Sequence, residues 1–273
     1  MDSKTSSKAA NKAGSDLSEQ IKEITKDAHV RAENTQLMLN YQKGQITQAQ
    51  YKLLLCSLYE IYRVLEQEMD RNSRHPAVEP IYFPQELARV EALERDLEFF
   101  FGLQWRKRVT VPAATLRYAE RLREIGRSSP NLLVAHAYTR YLGDLSGGQV
   151  LGKITQKTMG LSGNEGVAFF SFPEVSSAHR FKQMYRSRMN SIELSEEERK
   201  KVLDEAVKAF EFNIEVFDDL QRILSITEQA SGGSGEGKTL TTPLSAVSRS
   251  AVAQFTLGVC AALVTVGMGV YAF

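Results

Sequence analysis

The sequence predicts an all-α domain between about residues 16 and 225. Three observations carry this: apolar residues recur at three- and four-residue spacings, glycine and proline fall where such runs stop or start, and no stretch shows the two-residue alternation of a half-buried strand. A first helix is expected from Asp16, with Glu19 at the capping-box position, to near Gly44. Thr47 starts the second, with Gln50 reciprocating, and His75-Pro76 stops it. Pro84 opens a helix that Gly102 closes, and Pro112 opens another that Gly126 closes. After Pro130 one segment runs through Gly143, Gly147 and Gly148 to about Met159. A loop over Gly160 to Pro173 leads into a helix over Ser177 to Asn190, and Ser195 with Glu198 caps a last long helix. These make about seven or eight helices without a fixed-period repeat, which excludes a solenoid.

The flanks differ from this body. Residues 1–15, MDSKTSSKAANKAGS, are polar, lack the apolar core of a secretory signal, and are expected to be a disordered, cytosolic N-terminus. Residues 226–250 contain SGGSGEGK and scattered Ser and Thr, the composition of a flexible linker. Ala251 to Phe273 is uncharged and would extend roughly 34 Å as a helix, enough to cross a bilayer, so a C-terminal transmembrane anchor is expected. The two cysteines, Cys56 and Cys260, belong to no metal-binding spacing and fit a reducing compartment. A formal net charge of +1 gives no general attraction for a phosphate backbone, and no nucleic-acid motif is present.

Two helical faces carry groups with chemical potential. On an ideal helix Lys22, Lys26, His29 and Glu33 fall within a sector of about 60°. Such a stripe is either a solvated charged face or a metal-ligating histidine oriented by Glu33, beside lysines that meet an anionic ligand. A flat, anionic metallocofactor such as heme meets those needs. His75 and His179 read as surface residues.

In the glycine segment, His136, Arg140, Gly143 and Gly147 share a face, with Asp144 beside them. Each glycine costs roughly 1 kcal/mol relative to alanine inside a helix, so three together require compensation. Either two helices pack closely through Gly143 and Gly147, or a kinked helix lays bare backbone against a flat ligand. In the second case Asp144 adjoins that surface and is placed to hold a water or manage protons, unless Arg140 is merely its counter-ion. Lys182, Arg186 and Arg188 form a basic patch in KQMYRSRMN.

Taken together, TKDAHVRAEN, AHAYTRYLGDLSGGQVL, FKQMYRSRMN and the apolar tail resemble the eukaryotic, membrane-anchored heme oxygenases. The absence of any Cys-Pro dipeptide places the chain closer to the inducible type. The resemblance implies a heme held between a proximal helix and a kinked distal helix, with His29 as axial iron ligand and Glu33 its neighbour. It implies that Gly143, Asp144, Gly147 and Gly148 cover the other heme face, that Lys22, Tyr138, Lys182 and Arg186 contact the propionates, and that Tyr62, Arg140 and Asp144 form a distal polar network. Phe210, Asn213 and Phe217 match positions that wall the pocket. The implied reaction opens heme b, both substrate and cofactor, at the α-meso carbon to biliverdin, Fe²⁺ and CO. It would use O2 and electrons from NADPH–cytochrome P450 reductase at the endoplasmic reticulum membrane, with biliverdin reductase as a further partner.

Two other classes share the outline. A helical domain before a C-terminal anchor also describes Bcl-2-like regulators, but their NWGR-type motif is missing and the His29 stripe would have no purpose. A di-iron carboxylate bundle needs Glu-x-x-His pairs, and none of the four histidines has a glutamate three residues before it.

Overall fold

The computed structural model describes residues 16–232, with side chains through residue 225. Among the described residues all regular structure is helical: α1 (Leu17–Ile24), α2 (Lys26–Glu33), α3 (Gln36–Gln42), α4 (Gln48–Arg71), α5 (Pro84–Leu87), α6 (Val90–Phe101), α7 (Ala113–Ser128), α8 (Leu133–Gly143), α9 (Gln149–Met159), α10 (Ala178–Asn190) and α11 (Glu196–Gly232). A π-helical turn, Asp144–Gly148, joins α8 to α9, and a short 3₁₀ turn, Ala168–Phe170, precedes α10. A compact unit ends at Ser225, and α11 continues seven residues past it, into the expected linker. The rest of that linker, the N-terminus and the expected anchor lie outside the described residues. No helix among those described is long and apolar enough to cross a membrane.

Several boundaries follow from local chemistry. Thr47 accepts from the Gln50 N–H at 3.2 Å while the Gln50 side chain accepts from the Thr47 N–H at 2.8 Å, closing the expected capping box. Ser195 and Glu198 exchange the same pair of bonds at the start of α11. Gly160, with φ +64°, ends α9 in the left-handed conformation that a side chain would strain.

Three expected helices need correction. The one from Asp16 to Gly44 is three, because the short polar side chains of Thr25, Asn34 and Thr35 bond backward to the carbonyls of Ile21, Val30 and Ala32, competing with the helical ladder. The helix opened by Pro84 breaks at Ala88, whose backbone is extended (ψ 133°), so that only α6 reaches Gly102. Gly126 does not close α7 but lies inside it: a Cβ there would stand 2.3 Å from Glu68 Oε2, and the bare position lets α7 approach α4.

The core is built around α4, which packs most extensively on α7 and α6 and also meets α8. Tyr51, Leu55, Ile61, Tyr62, Val64 and Leu65 of α4 are fully buried there. Beside this core, α2, α8 with its π turn, and α11 join parts of α3 and α4 in bordering the cavity described next.

Candidate active site

One cavity, with about 880 Å³ of free space counting its mouth, is bordered by His29 of α2, by Arg140, Gly143, Asp144, Gly147 and Gly148 of the glycine segment, and by Phe210, Asn213 and Phe217 of α11. Its lining is overwhelmingly apolar, as expected of a pocket for a large planar ligand. Helix α2 packs on α1 and α3, whereas the π turn packs on α8, α9 and α10, so the two supply different walls.

On the α2 wall, His29 Nδ1 lies 3.7 Å from Glu33 Oε1, an ion-pair distance but too long for a hydrogen bond. The edge of Phe210 meets the imidazole, with centroids 5.5 Å apart, and limits its rotation.

On the other wall the π turn replaces the expected kink. Ser146 Oγ donates to the Leu142 carbonyl at 2.7 Å, supplying a partner where the ordinary ladder is interrupted, and itself accepts from Lys182 Nζ at 2.9 Å. A Cβ built on Gly143 or Gly147 would meet nothing within 4 Å. Both therefore present bare backbone to open cavity rather than to a neighbouring helix, which decides between the two readings of the glycines. Gly152 is different: its added Cβ would fall 2.8 Å from Phe170 Cβ, so its job is close packing.

Asp144 is the acidic group of this wall. Burial pushes its carboxyl above the ordinary range, while Arg140, the Tyr62 hydroxyl and Arg89 pull it back. Tyr62, fully buried behind the cavity, donates to Asp144 Oδ2 and accepts from Arg140 Nε at 3.2 Å. Arg140 Nη1 donates to Asn213 Oδ1, and Asn213 Nδ2 donates to the Ala209 carbonyl at 2.6 Å. Despite burial, Tyr62 and Asp144 keep Arg140 firmly charged. The result is a carboxyl with one fixed donor, one fixed cation and one edge on the cavity.

Other expected site residues lie elsewhere. Lys22, Glu33, Tyr138, Lys182 and Arg186 do not line the cavity. Lys182, half-buried near Arg186, has its ammonium pKa lowered by burial and then by that neighbour. His136, which the helical wheel put on the glycine face, turns fully into the core, with Nδ1 3.1 Å from Tyr118 Oη and Nε2 3.1 Å from Glu205 Oε1. Burial lowers its pKa and keeps it neutral; against the burial that opposes it, Arg121 and His136 hold the Glu205 carboxyl well below the usual range. His136 lies in the regular part of α8, before the π turn begins at Asp144; it is in the core because that turn of α8 packs against Tyr118 of α7 and Glu205 of α11, whereas Arg140 and Gly143, further along, border the cavity.

Sequence reasoning missed other lining residues, among them Met38 and Tyr41 of α3, Leu54 and Leu58 of α4, and Phe169 and Phe170 of the 168–170 turn. The first four read as ordinary core in a helical pattern. For the phenylalanines, an apolar VAFFSF run inside an otherwise polar loop was the available signal.

Fold and site together define a helical sandwich protein, which offers an imidazole from one wall of an apolar slot and bare backbone with a buried carboxyl from another. Comparison narrows the class. The heme oxygenase family model matches residues 15–219. A heme oxygenase of Takifugu rubripes is 59% identical over 97% of this chain and 97% of its own length, and heme oxygenase 1 of Homo sapiens is 54% identical over 77% of this chain and 73% of its own. The crystal structure of heme oxygenase-1 from the cyanobacterium Synechocystis in complex with heme superposes with a TM-score of 0.73 at 39% identity, covering 79% of this chain and 99% of that one. The chain belongs to the heme oxygenase family, a family of oxidoreductases.

Proposed function

We propose that this chain degrades heme oxidatively, opening the ring at its α-meso edge to biliverdin, Fe²⁺ and CO. The observation that carries the reading is the pairing, across one apolar cavity, of His29 with the bare Gly143–Gly147 backbone and Asp144. These residues fit heme: an imidazole suits the iron, the unfilled space over the two glycines suits a flat macrocycle, and the propionates would fall to Lys22, Lys182, Arg186 and Tyr138, which are not among the residues bordering the cavity. When bound, heme supplies the iron at which O2 is reduced and the carbon that is oxidised.

The chain's own residues would do the rest. His29 would hold the group through its imidazole, with Glu33 Oε1 3.7 Å from Nδ1, placed to keep a proton there. Phe210 and Phe217 exclude water from one side. Gly143 and Gly147, which leave open space where a Cβ would stand, would let the group lie against bare backbone. Asp144, positioned by Tyr62 and Arg140, would hold or pass on a proton at its Oδ2 edge of the cavity wall.

Electrons would come from NADPH–cytochrome P450 reductase, and biliverdin reductase would take the product. The run Ala251–Phe273 would tether the chain to the endoplasmic reticulum with its body facing the cytosol. The experiment is a hemin titration of the chain ending at Ser225. A tight 1:1 complex with a histidine-ligated spectrum is expected, and His29→Ala should lose that spectrum and regain it with added imidazole. An unchanged Soret region on titration would end the reading.

A further inference from the structure

Helix α6 does not reach the cavity, yet it carries two buried charges. Asp96 is wholly buried and Arg89, just before the first turn, is 4% exposed. Both act on the backbone of one irregular segment. The Asp96 carboxylate accepts from the N–H of Ala168 at 2.7 Å and of Phe169 at 2.8 Å, one with each oxygen. Arg89 Nη1 donates to the carbonyls of Phe169, at 3.2 Å, and Ser171. The guanidinium also lies over the Phe172 ring, 3.8 Å from its centroid. Phe169 is therefore held at its N–H and at its C=O from the same helix. That helix is itself tied to α4, because Glu66 Oε1 accepts from the N–H of Arg89 at 2.5 Å and of Val90 at 3.2 Å.

The gripped segment carries two side chains of the cavity wall. The Phe169 ring meets Tyr62 edge-on at 5.4 Å, and Tyr62 is the donor to Asp144. Phe170 fills the space that Gly152 leaves open and lies 3.7 Å from where a Gly148 Cβ would stand, so it buttresses the π turn. We propose that Asp96 and Arg89 are positioning residues for the distal wall. They fix the 168–171 backbone and, through Phe169 and Phe170, set how the Asp144 turn lies over the bound ligand.

Stability alone does not explain the pair, since burying two charges costs several kcal/mol and apolar residues of similar volume commonly do as well or better. What charges provide here is geometry: a loop without a ladder of its own needs partners for specific N–H and C=O groups, and each bond fixes a direction. Burial pushes the Asp96 carboxyl up to about 6, against the pull of the two N–H groups. Burial also lowers the Arg89 pKa, while the charges of Asp144, Tyr62 and Glu66 raise it.

The proposal rests on the heme reading, and its test separates the two. Full-length chain in detergent is compared with Asp96→Asn and Arg89→Lys. Asparagine keeps the shape but turns one acceptor into a donor facing an N–H; lysine keeps the charge but loses the planar fork. In the apo proteins, amide exchange at Ala168 and Phe169 should accelerate about tenfold or more in Asp96→Asn while α4 and α7 stay protected. Hemin affinity should stay within about threefold of wild type, whereas azide should leave the ferric complex at least about fivefold faster and the biliverdin isomer ratio should shift. Freed amides with unchanged azide dissociation and unchanged isomers would overturn the proposal. So would global unfolding of both variants together with Asp96→Glu, which would make the pair structural only. If wild-type chain takes up no hemin, the heme reading fails, while amide exchange still reports whether the segment is gripped.

Discussion

Tyr62 and Asp144, 82 residues apart, share a hydrogen bond in which the phenol donates to the carboxyl, and the same phenol oxygen accepts from Arg140. That one oxygen sets where the carboxyl points and lowers the cost of its charge. Tyr62→Phe keeps the ring packing against Phe169 and Tyr141 and removes only the hydroxyl. Hemin affinity should be little changed, and single-turnover biliverdin formation should fall on the order of tenfold or more. Urea denaturation should show a loss of about 1–3 kcal/mol from the unmet Asp144 oxygen. Wild-type turnover would remove Tyr62 from the mechanism.

Asp144→Ala removes the group itself. The variant should still bind hemin through His29, and its biliverdin yield should drop about 10²-fold, in the range attributed to a positioned proton donor. Stopped-flow spectra with reductase and NADPH would show heme consumed without the bile-pigment band growing in step.

Two glycine substitutions should act in opposite directions on the apo protein. Gly143→Ala places its methyl in open cavity, so it should leave the apo protein unchanged or more stable by up to about 1 kcal/mol, through helix propensity, while weakening hemin binding. Gly152→Ala drives its methyl into Phe170 and should destabilise the apo protein by about 1–3 kcal/mol. Paired thermal melts and hemin titrations check both; equal effects on apo stability would contradict the assignment of Gly143 to the cavity wall.

Burial pushes the Glu66 carboxyl up to about 7, against the N–H groups of Arg89 and Val90 and the Arg89 charge. A carboxyl whose folded pKa is raised contributes stability that is complete below its unfolded value of about 4.3 and is lost as pH rises through the folded value. Glu66→Gln keeps an acceptor for both N–H groups and cannot ionise. Its stability relative to wild type should therefore improve between about pH 4.3 and 7, by an amount on the order of 3 kcal/mol. A pH-independent difference would refute the raised value.

If Ala251–Phe273 anchors the chain, full-length protein should float with phospholipid vesicles in a density gradient while the chain ending at Ser225 stays at the bottom. Equal flotation of both would move the membrane contact into the helical body.

The sequence by itself determined the helical class, the capping boxes at Thr47–Gln50 and Ser195–Glu198, the stop at Gly160, and the two unusual faces around His29 and Gly143–Gly148. These are legible because they depend on bonds spanning three or four residues, or on a residue type that costs stability wherever it stands. Tertiary structure alone decided that the glycines border a cavity while Gly126 and Gly152 serve packing, since the backbone pattern is the same and only the neighbour differs. It alone put His136 in the core, against Tyr118 and Glu205 from two other helices, and brought Phe169 and Phe170 from a loop to the cavity. The links from Tyr62 to Asp144, Arg140 to Asn213 and Asp96 to Phe169 cross 82, 73 and 73 residues. Such pairs are set by which helices the core brings together, and no local propensity encodes that distance.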